Sequence, residues 1–118
     1  MIQSDEIKPD AFLVACPSRG LFTRLAEKWT LLCIAALEDG PMRFGSLKRR
    51  LEGITQKMLT QTLRKLEKDQ LVHRELFDEM PLRVEYSLTA KGIDLLPLVA
   101  SLKQWAEANF SDATTENG

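Results

Sequence analysis

The stretch from Phe44 to Asp69 constrains the fold more than any other part of the chain. Phe44, Leu47 and Leu51 fall at helical spacing, which predicts a short helix over Phe44 to Leu51. Glu52-Gly53-Ile54 then makes a tight turn. Thr55, a residue type that caps helices well, opens a longer helix reaching about Asp69. Ile54 and Leu59 flank that cap at the positions where an apolar staple fixes the approach of the chain. A short helix, a turn containing glycine and a second helix together make a helix-turn-helix pattern.

The longer of the two helices has two unlike faces. At about 100° per residue, Thr60, Gln61, Arg64, Lys65 and Lys68 all lie within roughly 80° of Lys57. Leu59, Leu63 and Leu66 fall on the opposite side. One face is made to be buried, and the other carries amide, hydroxyl and cationic groups along three turns. A major groove accepts a helix of this kind, with Gln able to pair bidentately with adenine and Arg or Lys with guanine. Entering end-on, the helix would put Thr55, Gln56, Lys57, Thr60 and Gln61 deepest. Arg64, Lys65 and Lys68 are better placed for phosphates, where they set affinity and salt dependence.

The charge along the chain is uneven in the same sense. The 118 residues carry a net charge of −1. The stretch Arg43 to Arg83, however, holds ten basic against six acidic residues, an excess of four. The flanks are correspondingly acidic, and a basic centre of this kind points to a polyanionic partner. Arg43, Ser46, Arg74 and Arg83 join the helix residues above as the expected DNA-binding set.

The remaining elements follow from periodicity and punctuation. A first helix opens at Pro17 and turns Leu21, Phe22, Leu25 and Ala26 inward. A second runs from about Thr30 to Leu37, with Trp29, Leu32, Cys33, Ala36 and Leu37 on its apolar stripe, and Asp39-Gly40-Pro41 stops it. Leu71 to Phe77 and Arg83 to Leu88 alternate apolar and polar residues, which predicts a strand pair joined through Asp78-Glu79-Met80-Pro81-Leu82. Thr89 caps a last helix that reaches about Asn109 and should be kinked by Pro97. Its apolar residues form two stripes, one of Leu95, Leu98, Leu102 and Trp105, the other of Leu96, Val99, Ala106 and Phe110. That is more than one core needs, so a second copy of the chain is expected against it. Residues 1–10 and 111–118 are polar and unpatterned, and are expected to be flexible. The fold class is thus mainly α with a small β-hairpin.

Composition removes several other functions. With 44% hydrophobic and 28% charged residues the chain is of ordinary globular type. Its longest apolar runs, around Trp29–Leu37 and Leu95–Leu102, fall well short of the ~20 residues of a membrane span. The start Met1-Ile2-Gln3-Ser4-Asp5-Glu6 shows no secretory signal, so a cytoplasmic protein is expected. Cys16, Cys33 and His73 do not make a metal site. No catalytic constellation or phosphate-cradling loop is present, so neither an enzyme nor a cofactor is expected.

The chain resembles the HxlR-type branch of winged helix-turn-helix regulators, related to the MarR group. The resemblance rests on Cys16-Pro17, Lys28-Trp29-Thr30-Leu31-Leu32, Asp39-Gly40-Pro41-Met42-Arg43-Phe44 and Leu47-Lys48-Arg49-Arg50-Leu51. It continues through Gly53-Ile54-Thr55-Gln56-Lys57-Met58-Leu59-Thr60-Gln61, Leu63-Arg64-Lys65-Leu66-Glu67 and Pro81-Leu82-Arg83-Val84-Glu85-Tyr86-Ser87-Leu88-Thr89. It covers roughly Cys16 to Trp105, and departs at Ala26-Glu27, where the family usually has two glycines. It implies one such domain over residues 11–110, with the helix-turn-helix at about 44–69, a wing at about 71–88 and a dimerisation helix at about 89–109. It also implies a homodimer, joined through terminal helices, that binds a double-stranded operator and represses or activates adjacent genes. Phe22, Leu98, Leu102 and Trp105 are the expected dimer contacts.

Two further readings accompany it. Cys16 stands where a helix N-terminus and Arg19 would favour its thiolate. Some members of the family use a cysteine at the matching place to sense oxidants or electrophiles, and the bland alternative is packing in the dimer interface. A space between dimerising helices would also suit a small effector. The rival function is a winged-helix module that binds protein and not DNA, which requires an apolar exposed face on the recognition helix or the wing.

Overall fold

The structure is a computed structural model that describes Arg19 and residues 27–110. Helix α1 (Thr30–Ala36), strand β1 (Met42–Arg43) and helices α2 (Phe44–Arg50) and α3 (Gln56–Lys68) come first. Strands β2 (Val72–Phe77) and β3 (Arg83–Leu88) and the long helix α4 (Ala90–Phe110) follow. Of the expected first helix only Arg19, which is helical, is described; Cys16, Pro17 and Phe22 lie outside the described residues.

One apolar centre organises these elements. Cys33, Ile34 and Leu37 of α1 and its C-cap meet Leu47 of α2 and Leu51 at its C-cap, and Leu59, Leu63 and Leu66 from α3. Ile54, Leu71, Val72 and Val99 close the cluster. Two residues of α1 differ from expectation. Ile34 is fully buried, whereas Leu32 is 43% exposed. The reason is that α1 packs on α2, α3 and α4 together, so its buried arc is rotated and wider than a single stripe. Ile54 and Leu59 are both buried, as a staple across the cap requires, and Thr55 Oγ1 accepts the N–H of Met58 at 3.0 Å.

A third strand accompanies the expected pair. The sheet order is β1-β3-β2, antiparallel throughout, with Met42 opposite Tyr86 and Arg74 also opposite Tyr86. Every residue of β3 is therefore half-buried, so the alternation in its sequence does not appear as alternating exposure. Tyr86 and Leu88 pack on the core, and Arg83 and Glu85 pair with each other.

The exit from α3 and the start of α4 are tied together. Gln70 adopts a left-handed backbone (φ 62°). Its N–H donates to Glu67 O, and the N–H of Leu71 donates to Leu66 O at 2.9 Å. This is the Schellman arrangement, here formed without glycine. Thr89 then donates its hydroxyl to Gln70 O at 2.7 Å and its N–H to Leu71 O at 3.1 Å, while Thr89 Oγ1 accepts the N–H of Gly92. Thr89 thus caps α4 as expected. A Cβ at Gly92 would lie 2.2 Å from Leu71 O, so only glycine permits this approach. Helix α4 continues through Pro97 as a single element of 21 residues.

Candidate nucleic-acid interface

Helix α3 presents the two faces that its sequence requires. Leu59, Leu63 and Leu66 are at most 2% exposed. Thr62, not expected in the core, is buried beside them. Thr55, Gln56, Lys57, Gln61, Arg64, Lys65 and Lys68 are all exposed, and Thr60 is half-buried. Burying three leucines contributes about 1.5–3 kcal/mol each. That is ample to decide which way the helix faces. Gln56, Lys57, Thr60, Gln61 and Arg64 form one continuous open surface.

The wing adds a residue that helix geometry alone cannot place. Arg74 from β2 lines a cleft of about 350 Å³ with Thr60, Arg64, Glu67 and Tyr86. Strand β2 and helix α3 therefore present cations to the same space. Arg43 is exposed on β1, and Ser46, half-buried on α2, accepts from Arg49 at 3.3 Å. His73 is exposed on β2.

Arg83 does not join this surface. Its guanidinium donates twice to Glu79, at 2.8 and 3.3 Å, and once to Glu85, and it stacks on Phe77 with 3.8 Å to the ring centroid. The sequence places it in the DNA-binding set on a hairpin arm, but two carboxylates already engage its donors. Its work is to brace the hairpin. Glu85, two positions along β3, shares a face with Arg83, whereas Glu79 reaches it through the conformation of the loop before the strand. Lys65 differs in a similar way, since its ammonium lies 3.1 Å from Glu27 ahead of α1. The wing is also less polar than expected, for Leu76, Met80 and Leu82 are exposed, Met80 at 96%.

Two other groups of residues bear on function. Leu98, Leu102, Trp105 and Phe110 are exposed on α4, as are Ile93 and, across the groove, Leu32. Trp105 and Phe110 make an edge-to-face pair with centroids 5.7 Å apart. Between α1 and α4 runs an apolar groove of about 370 Å³ whose lining includes Leu31, Leu32, Ala35, Val99, Leu102 and Ala106. Cys33 is buried in the core, and burial pushes its thiol up to about 12, so it holds no thiolate near neutral pH. Cys16 lies outside the described residues. No helix among the described residues is long and apolar enough to cross a membrane.

A helix-turn-helix followed by an antiparallel hairpin, with the second helix turned outward, defines a winged helix-turn-helix protein. The model of the HxlR-like helix-turn-helix family matches residues 24–114, and the chain belongs to that family. A helix-turn-helix transcriptional regulator of Methanothermobacter thermautotrophicus is 40% identical over 103 residues, covering 87% of this chain and 77% of the relative. The solved structure of the regulator YtfH from Salmonella typhimurium superposes with a TM-score of 0.81 at 35% identity, over 93% of this chain and 98% of that one. The oxidised form of the redox regulator HypR superposes with a TM-score of 0.73 at 41% identity, over 79% of this chain and 96% of that one. The chain is a transcriptional regulator of this family and not an enzyme.

The brace on the wing carries a pH dependence. The Arg83 guanidinium, by hydrogen bond and by charge, holds the Glu79 carboxyl below its ordinary value of 4.5, with a smaller push from Arg43. A depressed carboxylate stabilises the fold above its ordinary pKa and ceases to do so as the pH falls through the depressed one. NMR titration should therefore show the hairpin amides from Asp78 to Leu82 losing order only below the usual carboxylate range. Arg83→Gln should raise the Glu79 midpoint toward 4.5. An unchanged midpoint would rule the brace out.

Proposed function

We propose that the protein binds double-stranded DNA as a homodimer, with α3 in the major groove and the β2–β3 wing against the flanking backbone. One observation carries this reading: the outer face of α3 offers Lys57, Gln61, Arg64 and Lys68 to solvent while its inner leucines are buried. Gln56, Lys57, Thr60 and Gln61 reach base edges, and Arg64, Lys68 and Arg74 meet phosphates. Two copies related by a two-fold axis would read a pseudo-palindromic operator with half-sites one helical turn apart.

The dimer reading rests on the apolar face of α4. Leu98, Leu102, Trp105 and Phe110 are each about half exposed or more, which a lone subunit seldom tolerates on one helix. The groove beside α1 adjoins this face through Leu102 and Ala106, so a second copy seated on α4 would border it there. Sedimentation equilibrium should give twice the 13.4 kDa chain mass. A species of 13.4 kDa at micromolar concentration would contradict it.

A redox response through Cys16 belongs to the same proposal. Its support is that HypR, a solved relative, is named a redox regulator, and that Cys33 is too deeply buried to serve. The exposed Leu76, Met80 and Leu82 favour a second reading for the wing alone, a contact with another protein.

Selection from a random duplex library tests the central reading. Wild-type protein should enrich a palindromic sequence and lose affinity steeply as salt rises. Arg64→Ala should weaken binding to every sequence and flatten the salt dependence. Gln61→Ala should instead relax one position of the site, by about 1–3 kcal/mol. Repeating the assay after mild oxidation should alter wild type and spare Cys16→Ser. Absence of any salt-dependent binding would leave only the protein-contact reading.

A further inference from the structure

Of the four cations on α3, Lys57, Arg64, Lys65 and Lys68, Lys65 is the one that makes an ion pair among the described residues. Its ammonium sits 3.1 and 3.2 Å from the two carboxylate oxygens of Glu27, 38 positions earlier in the chain. Both side chains are close to half exposed. The pair is therefore open to competition by other ions, and in particular by a phosphate chain laid along α3. Glu27 belongs to the segment that leads into α1, and its carbonyl oxygen accepts the N–H of Thr30. The main chain that bears the carboxylate is thus held at the entry to α1.

We infer that Glu27 is an internal phosphate mimic that withholds Lys65 from DNA and so lowers the affinity of the recognition helix. The inference rests on the DNA-binding reading above. Lys65 stands at the edge of the cationic face, about 80° from Lys57, within reach of both a flanking phosphate and Glu27. A carboxylate shared between two hydrogen bonds to one ammonium satisfies the same donors that a phosphate would take. While that pair persists, the protein releases one counterion fewer from DNA for each subunit.

The test uses the full-length protein and a random-sequence duplex of about 20 base pairs, two helical turns, so that phosphate contacts dominate. Glu27→Gln keeps the shape and removes the charge. It should tighten binding about two- to five-fold for each half-site, the range expected for an exposed ion pair. It should also steepen the slope of log affinity against log salt by about 0.9 per subunit. In a Lys65→Gln background, Glu27→Gln should gain nothing, which is the coupling that a double-mutant cycle isolates. Circular dichroism melts of all four proteins establish that they fold alike.

The possible results separate cleanly. If wild type binds and Glu27→Gln binds no tighter, the withholding role is wrong and the DNA reading stands. If Glu27→Gln gains as much without Lys65 as with it, Glu27 merely repels the duplex and the assignment to the pair is overturned. If wild type shows no salt-dependent binding at all, the DNA reading falls and this inference falls with it.

Discussion

The packing of Leu59, Leu63 and Leu66 against Ile34, Leu37 and Leu47 is the contact on which the rest of the molecule depends. It orients α3 about its own axis. Rotating the helix by one residue would bring charged or amide groups into an interior made of leucine and isoleucine, at a cost far above that of any surface ion pair. The polar face therefore points outward as a consequence of what is hidden. Thr55 and Ile54 set where the helix begins, and the left-handed Gln70 sets where it ends.

That same Gln70 turn joins α3 to the start of α4. Thr89 grips its carbonyl, and Gly92 brings the first turn of α4 against Leu71. The helix that carries the exposed Leu98, Leu102 and Trp105 thus starts on the backbone that finishes α3. In a dimer the spacing of two recognition helices would be governed by this junction and by the inclination of α4, not by the hairpin.

Most of the architecture was legible because it depends on local period and punctuation. The helices around Leu47, Leu63 and Val99, the turn at Gly53, and the strands around Val72 and Tyr86 all stand where alternating or helical spacing puts them. What escaped depends on neighbours distant in the chain. The short strand Met42–Arg43 exists only because β3 lies beside it. Ile34 is buried and Leu32 exposed because three helices surround α1. Gln70 is no residue type that announces a left-handed turn. In the candidate site, the outward set on α3 was readable from its angular spacing alone. The engagement of Lys65 by Glu27, 38 positions away, was not, and that of Arg83 by Glu79 and Glu85, though close in the chain, is not given by strand alternation alone.

The result is a basic centre whose usable charge is smaller than its count of lysines and arginines. Lys57, Arg64, Lys68 and Arg74 are exposed cations gathered on α3 and the neighbouring β2, with Arg43 exposed on β1. The most direct test of that geometry is hydrogen exchange followed by backbone amide, with and without a bound duplex. The account predicts slowed exchange and shifted amides concentrated in Gln56–Lys68 and around Arg74, with Leu98 to Phe110 unaffected. Protection confined to the Met80 tip or to α4, with α3 unchanged, would contradict it.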